Sequence, residues 1–291
     1  MKIKQSSDII LLMSKQLIIL PFDHRSSFLK DITNQKRKVR EMKEMIFDAF
    51  LLSIKNKRDF AILVDEELGE NVLLRAKKEN IKICLPVEKS GQKELKLEYG
   101  DDFQKHIKKF DPEYVKILVR YNPSNIEINK RQLEVLSKIG NFCRENKYKV
   151  LLELLVPKSK EEIGIKNYDT LLRYKKTIEA IKEIKAKIKV SVWKLEGFSK
   201  KQWESVIKST NKGSKIVLLG RGEDKSKVSK WMRDASGYKE IIGFAIGRTI
   251  FLEPLKEYQN NKSTKEETIK KISDNFNYFI NLWTTLKRKK L

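Results

Sequence analysis

Lys194 lies within the run Val190-Ser191-Val192-Trp193-Lys194-Leu195-Glu196-Gly197. A segment so apolar and β-branched reads as a strand covered by its neighbours, and the two-residue period of a strand puts Lys194 and Glu196 on the same side of the pleat. Taking an ammonium out of water without a partner is costly, so a lysine in such a place is expected to be neutral, paired, or both. An amine of that kind is a candidate nucleophile for imine formation with a carbonyl compound.

Ionisable groups interrupt other apolar runs in the same way. Pro21-Phe22-Asp23-His24-Arg25 and Val64-Asp65-Glu66-Glu67 end two of them, and Gly220-Arg221-Gly222-Glu223-Asp224 and Gly247-Arg248-Thr249 end two more. Lys116 and Arg120 sit inside Val115-Lys116-Ile117-Leu118-Val119-Arg120-Tyr121, and Glu153 inside Leu151-Leu152-Glu153-Leu154-Leu155. Carboxylates beside a buried amine could move protons for it. Gly220, Gly222 and Gly247, next to Arg221 and Arg248, would let backbone N–H groups come close to an anion. Each group also has a plainer use. Lys116 or Glu153 could form a buried ion pair that holds strand register, Asp23 and His24 could cap the helix that follows them, and Arg221 and Arg248 could be exposed loop residues. Their joint occurrence at one end of six strands favours a shared site. His106, in a polar helical stretch, is expected to be exposed.

Such a site needs a scaffold that brings strand ends together. Eight short apolar segments read as buried strands: 17–24, 60–66, 82–87, 114–121, 149–156, 190–197, 215–222 and 242–249. Charged segments of helical period alternate with them, including 39–54, 131–145, 168–187, 200–210, 225–235 and 265–286. Eight strands alternating with helices is the count of an α/β fold of the (β/α)8 barrel type, in which the carboxyl ends of the strands form the active face. An open doubly wound sheet is the competing fold, but no G-x-G-x-x-G follows the first strand. One domain is expected over 1–291, with an extension at 1–16 and a final helix within 263–291. Residues 88–100 form a longer polar connection, read either as a flap over the site or as a plain surface insertion.

Composition narrows the classes of function. Forty per cent hydrophobic residues with 12 Gly and 6 Pro among 291 describe a folding globular chain. The formal net charge of +24 raises nucleic acid or an anionic membrane as a partner. The excess is nearly all lysine spread along the chain, and its densest runs, 35–40 and 287–290, are not interleaved with aromatics, so a solvated basic surface is the simpler reading. Cys84 and Cys143 share no metal-ligand spacing and are expected to be reduced core thiols. The apolar stretch Ile9 to Met13 is flanked by Asp8 and Lys15 with no cleavage site after it, and no run has the length to cross a bilayer, so a cytoplasmic location is expected.

In order along the chain, these motifs resemble the class I aldolase-like barrels found as the carboxyl-terminal domain of bacterial inositol-catabolic 5-dehydro-2-deoxygluconokinases. The resemblance covers about residues 17–286 and is carried by Pro21-Phe22-Asp23-His24-Arg25-Ser26-Ser27-Phe28, Leu63-Val64-Asp65-Glu66-Glu67-Leu68-Gly69, Val115-Lys116-Ile117-Leu118-Val119-Arg120-Tyr121-Asn122-Pro123, Glu153-Leu154-Leu155-Val156-Pro157, Trp193-Lys194-Leu195-Glu196-Gly197, Leu219-Gly220-Arg221-Gly222-Glu223-Asp224 and Gly243-Phe244-Ala245-Ile246-Gly247-Arg248-Thr249-Ile250-Phe251. The chain is more distantly similar to tagatose-bisphosphate aldolases of the Schiff-base type, whose aspartate, two lysines, glutamate and arginine fall on Asp23, Lys116, Lys194, Glu153 and Arg248. In contrast to the kinase-fused proteins, no amino-terminal sugar-kinase domain is expected with this barrel.

The resemblance implies retro-aldol cleavage of 2-deoxy-5-keto-gluconate 6-phosphate to dihydroxyacetone phosphate and malonate semialdehyde. On that basis Lys194 forms the imine, Lys116 favours its neutral amine by like-charge repulsion, Glu153 shuttles protons, and Asp23 orients substrate hydroxyls or shares the base role. Arg221 and Arg248, with the amides around Gly220, Gly222 and Gly247, would hold the phosphate, and Arg25 or Arg120 the carboxylate. The expected partner is a phosphorylated keto-sugar; no cofactor, metal, membrane or specific nucleic acid is expected, and homo-oligomers are common among such barrels. An aldolase for tagatose or fructose bisphosphate, and a non-catalytic barrel that binds a phosphorylated metabolite, are the alternatives.

Overall fold

Eight parallel strands close on themselves in chain order in the computed structural model, which describes residues 16–289. They are β1 (Leu17–Pro21), β2 (Phe60–Leu63), β3 (Lys82–Pro86), β4 (Tyr114–Arg120), β5 (Lys149–Leu155), β6 (Val192–Leu195), β7 (Lys215–Leu219) and β8 (Ile241–Ala245), and β8 returns to pair with β1. Around them run α1 (Ser26–Asp31), α2 (Lys36–Ser53), α3 (Glu66–Lys78), α4 (Phe103–Phe110), α5 (Ile126–Glu145), α6 (Tyr168–Leu171), α7 (Arg173–Lys185), α8 (Lys200–Ser209), α9 (Lys225–Ala235), α10 (Arg248–Gln259) and α11 (Lys265–Arg288). The chain is therefore a (β/α)8 barrel, with both faces of its sheet covered. All but the last residue of the extension expected at 1–16 lies outside the described residues, as does Lys290.

Strand parity separates two cores. Leu17 and Ile19, Ala61 and Leu63, Cys84, Tyr114, Leu151, Val192, Val217 and Ala245 pack together inside the ring. Residues of the other parity, such as Ile18, Ile62, Val115, Leu152, Trp193 and Phe244, pack outward against the helices. In α11, Phe276, Phe279 and Trp283 are buried as packing residues, Phe276 stacking on Phe50 of α2 at 6.0 Å between ring centroids. Among the described residues no helix is long and apolar enough to cross a membrane.

The strands are shorter at their carboxyl ends than the apolar runs that announce them. The run at 242–249 is a strand only to Ala245, because Gly247 caps α10 and Arg248 and Thr249 begin that helix. The helix expected over 168–187 is two, meeting at Leu172, and the one expected from 131 begins five residues earlier, at Ile126. Asp65, at the end of β2, accepts from Leu68 N at 2.9 Å as the cap of α3 and pairs with the fully buried Lys43 of α2.

Barrel closure depends on a close approach between β8 and β1. A Cβ on Gly243 would lie 1.8 Å from the Leu17 carbonyl oxygen, its register partner on β1. Gly243→Ala should therefore lower stability by at least ~2 kcal/mol through steric displacement of the seam, read as a shift in the denaturation midpoint. An unchanged midpoint would show that the seam can open without cost.

Candidate active site

Inward parity continues past the apolar layers to the carboxyl ends of the strands, and there the side chains become ionic. Lys116 of β4 and Lys194 of β6 share the parity of Tyr114 and Val192, and both are almost wholly buried. Glu153 of β5 is the register partner of Lys194. Its Oε2 accepts from Lys194 Nζ at 2.9 Å and lies 3.2 Å from Lys116 Nζ, so one carboxylate oxygen joins the two amines. Lys116 also donates to Asp23 Oδ2 at 2.7 Å and to Glu88 Oε1 at 2.6 Å.

The electrostatics follow from this packing. Burial opposes charge on Lys116, but Asp23, Glu88 and Glu153 outweigh it and push its pKa well above the usual lysine range. Burial likewise opposes charge on Asp23 and Glu153, yet Lys116 and Lys194 hold both carboxyls below their ordinary values. Glu88 goes the other way, raised by burial against the pull of Lys116. His24 is lowered to about 4, first by burial, with Arg248 and Lys194 adding to it against Asp23. Its imidazole is uncharged at neutral pH, and its buried Nδ1 has no hydrogen-bond partner among the described residues. Asp23 and His24 do not cap the following helix, since α1 starts without a side-chain cap.

The connections after β7 and β8 meet beside these groups. Arg221 and Gly222 both take positive φ, at 55° and 75°, which turns the chain sharply. Arg248 Nη2 donates to the Arg221 carbonyl at 3.1 Å, and a Cβ on Gly222 would come within 2.9 Å of the Arg248 guanidinium carbon. Only glycine leaves that room. Arg221 itself turns its Nε to Glu196 Oε1 at 3.0 Å, and Glu196 is held from its other side by the buried Arg173 at 2.9 Å. Glu196 thus shares the parity of Lys194 but serves the two arginines. Arg248 has no carboxylate within ion-pair distance among the described residues. A cleft of about 340 Å³, lined by Arg173, Phe198, Arg221 and Trp231 among others, opens beside this network.

The segment 88–100 contains a short hairpin, with Glu88 bridged to Leu97. Arg25 and Arg120 hold it down: Arg25 donates to the Glu88 carbonyl at 2.6 Å and pairs with Glu98 at 2.5 Å, while Arg120 donates to the Gln92 carbonyl at 3.0 Å. Arg25 is thereby committed to the hairpin, whereas Arg120 has one N–H engaged. Arg131 pairs with Glu94 at 2.7 Å, and Gln132 Oε1 accepts from Leu95 N at 2.9 Å. His106 is half-buried rather than exposed, because Tyr99 stacks on its ring at 3.4 Å and Glu66 shares a 2.5 Å hydrogen bond with Nδ1. Cys84 and Cys143 are buried free thiols.

Sequence reasoning brought together Asp23, Lys116, Glu153 and Lys194, and missed Glu88 and Arg173. Glu88 had a readable signal: Cys84, Pro86 and Glu88 keep the inward parity of β3 past the strand's end. Arg173 had none, for one arginine on an amphipathic helix looks like any other.

Lys116→Met should destabilise the fold by about 3–5 kcal/mol at neutral pH, because it strands buried carboxylates without their cation. In the wild type, Asp23 and Glu153 add stability above an unfolded carboxyl pKa of about 4 that is lost as pH falls. Without Lys116 both folded pKa values rise, with Lys194 left as the cation that opposes burial, so this pH-dependent contribution shrinks and the gap between variant and wild type should narrow on acidification. Denaturant titrations across pH read this directly, and a constant gap would contradict it.

Solved structures share this fold. An archaeal fructose 1,6-bisphosphate aldolase superposes with a TM-score of 0.60 at 12% identity, over 94% of this chain and 96% of that one. A Schiff-base-forming fructose-1,6-bisphosphate aldolase gives 0.58 at 12%, over 92% and 94%, and a protein of Corynebacterium glutamicum 0.59 at 14%, over 89% and 85%. At these identities the likeness is one of fold. No curated protein matches the chain in sequence. A family profile does, over residues 10–287, and the chain belongs to that family, DUF2090, described as uncharacterized protein conserved in bacteria.

Proposed function

We propose that this chain is a class I aldolase that cleaves a phosphorylated keto-sugar through an imine on Lys194. One observation carries the reading: the Lys194 amine lies inside a closed barrel, 2.9 Å from a carboxylate that it shares with a second buried lysine. A merely structural ion pair needs one cation for Glu153. Two amines meeting on a single oxygen, at the end of the barrel where catalytic groups gather, suit a nucleophile with a proton carrier beside it.

In the proposed cycle Lys194 passes a proton to Glu153 and attacks the ketone carbon. Glu153 returns the proton to the carbinolamine hydroxyl, water leaves, and an iminium remains. The bond between the third and fourth carbons then breaks, its electron pair moves into the iminium to give an enamine, and a carboxylate, Glu153 or Asp23, takes the proton of the third-carbon hydroxyl as the aldehyde forms. That proton is then given to the enamine carbon, and water hydrolyses the iminium to release the ketone and free Lys194. Arg248, a cation with no carboxylate of its own, holds the phosphate with backbone N–H groups of the turn at Gly220, Arg221 and Gly222. Arg221 supports that turn while its side chain is shared with Glu196.

For the substrate we favour 2-deoxy-5-keto-gluconate 6-phosphate, giving dihydroxyacetone phosphate and malonate semialdehyde, with Arg120 on the carboxylate. The commitment of Arg25 to Glu98 and the Glu88 carbonyl favours a second reading. With one arginine fewer for a distal anion, a ketose phosphate whose far end is neutral suits the mouth as well.

Borohydride added with a keto-sugar phosphate should leave a covalent mass on Lys194, located by peptide mass spectrometry. Lys194→Ala should lose roughly a thousandfold or more in dihydroxyacetone phosphate release, and Lys194→Arg should do no better, since a guanidinium forms no imine. An adduct confined to other lysines, with activity intact in Lys194→Ala, would remove the mechanism.

A further inference from the structure

Three carboxyl groups and two amines meet at the barrel mouth, and the count leaves one carboxyl over. Asp23 lies 2.7 Å from Lys116, and Glu153 lies between Lys116 and Lys194 at 3.2 and 2.9 Å. Those two carboxylates balance the two cations. Glu88 is the third carboxyl. Its Oε1 is 2.6 Å from Lys116, its Oε2 is buried with no partner among the described residues, and only 6% of the residue is exposed.

An ionised Glu88 would leave a buried carboxylate oxygen with no hydrogen-bond partner among the described residues, at a cost that protonation lowers by removing the charge. Carboxyl groups that crowd one cation do not all ionise together. Of the three, Asp23 and Glu153 have Lys194 as well as Lys116 in their field. Glu88 is favoured as an anion by Lys116 and, more weakly, by its own backbone N–H, and it faces the negative charge of Asp23, with burial raising its pKa. Arg25 offers no relief: one end of its guanidinium binds the Glu88 carbonyl rather than the carboxyl, and the other is paired with Glu98 on the hairpin's return arm.

We propose that Glu88 is held as the neutral acid and that it is a positioning residue, setting the net charge felt by Lys194. The contacts run strand by strand: Glu88 just beyond β3, Lys116 on β4, Glu153 on β5 and Lys194 on β6. With Glu88 neutral, two cations and two anions cancel. With Glu88 ionised, the extra negative charge works through this line to hold Lys194 as ammonium, and it repels a phosphorylated ligand. The effect on imine formation rests on the aldolase reading, whereas the protonation of Glu88 does not.

Infrared difference spectroscopy tests the protonation. Wild type minus Glu88→Gln at about pH 6 should show a carboxylic-acid C=O stretch that shifts in heavy water. Subtracting Glu88→Ala should show the same band, whatever the fit of the Gln side chain. Carboxylate bands in its place would overturn the proposal. The positioning role is read from borohydride-trapped adduct on Lys194 with dihydroxyacetone phosphate. The trapping-rate ratio of Glu88→Gln to wild type should stay within about twofold at pH values where the carboxylic-acid band is present and grow to about fivefold or more where that band is lost, as wild-type Glu88 ionises. A ratio independent of pH would overturn that role. If neither protein forms an adduct, the aldolase reading and the kinetic effect fall together, and the infrared band still decides the state of Glu88.

Discussion

The ammonium of Lys116, surrounded by Asp23, Glu88 and Glu153, is the contact on which the mouth of the barrel depends. Each carboxyl comes from a different strand end, and each would be unstable there alone, because burial favours its neutral form. One cation makes the arrangement possible. It also makes it exacting, since a buried ion cluster contributes mainly by being complete: remove the cation and the carboxylates repel, remove a carboxylate and the cation loses part of its solvation. Lys194 joins this cluster at its edge, through the same Glu153 oxygen that Lys116 uses. It is thus attached to the network by one contact, the position that the proposed nucleophile would need.

Parity in the barrel produces this geometry with few special devices. Lower inward positions carry Leu, Ile, Val and Ala and fill the interior; the next positions up the same strands carry Lys116, Glu153 and Lys194. The register pairs Glu153 with Lys194 directly, while Lys116 pairs with Leu151 and reaches Glu153 through the length of its own side chain. The hairpin after β3 then covers one side of the mouth. Arg25, Arg120, Arg131 and Gln132 fasten it at separate points, so Glu88 at its base is held in place from the backbone as well as through its carboxyl.

Periodicity made the barrel and the inward lysines legible, because a charge stands out in a strand buried on both faces. Legibility failed where that contrast failed. Glu88 lies beyond Pro86, where the chain reads as polar connection, and only the alternation from Cys84 shows that its side chain still points inward. Lys43 sits in an amphipathic helix rich in lysine and arginine, so nothing in its neighbourhood distinguishes a fully buried lysine paired with Asp65 from its solvated neighbours. Arg25 reads as a free cation beside the site until Glu98, 73 residues away, is seen to claim it. Long-range pairing of charges is the part of this fold that local pattern does not carry. His106 belongs with these, since its burial comes from Tyr99 and Glu66 rather than from its own helix.

The same pairing decides what the arginine end of the mouth can offer an anion. Arg221 and Arg248 look equivalent in sequence, each an arginine beside glycine after a late strand. In the structure Glu196 holds Arg221, and Arg173 holds Glu196 in turn, so an incoming anion would have to compete with a carboxylate for the Arg221 guanidinium. Arg248 is spared that competition, because its contact is to a neutral carbonyl, that of Arg221. The first arginine therefore builds the turn on which the second is seated. Gly222 is what lets them come together, since any side chain there would occupy the space of the Arg248 guanidinium. A negative ligand at this end meets one cation and a sharply turned backbone. On the proposed aldolase reading, that provision would serve a single phosphate, with the rest of the ligand extending toward Lys194.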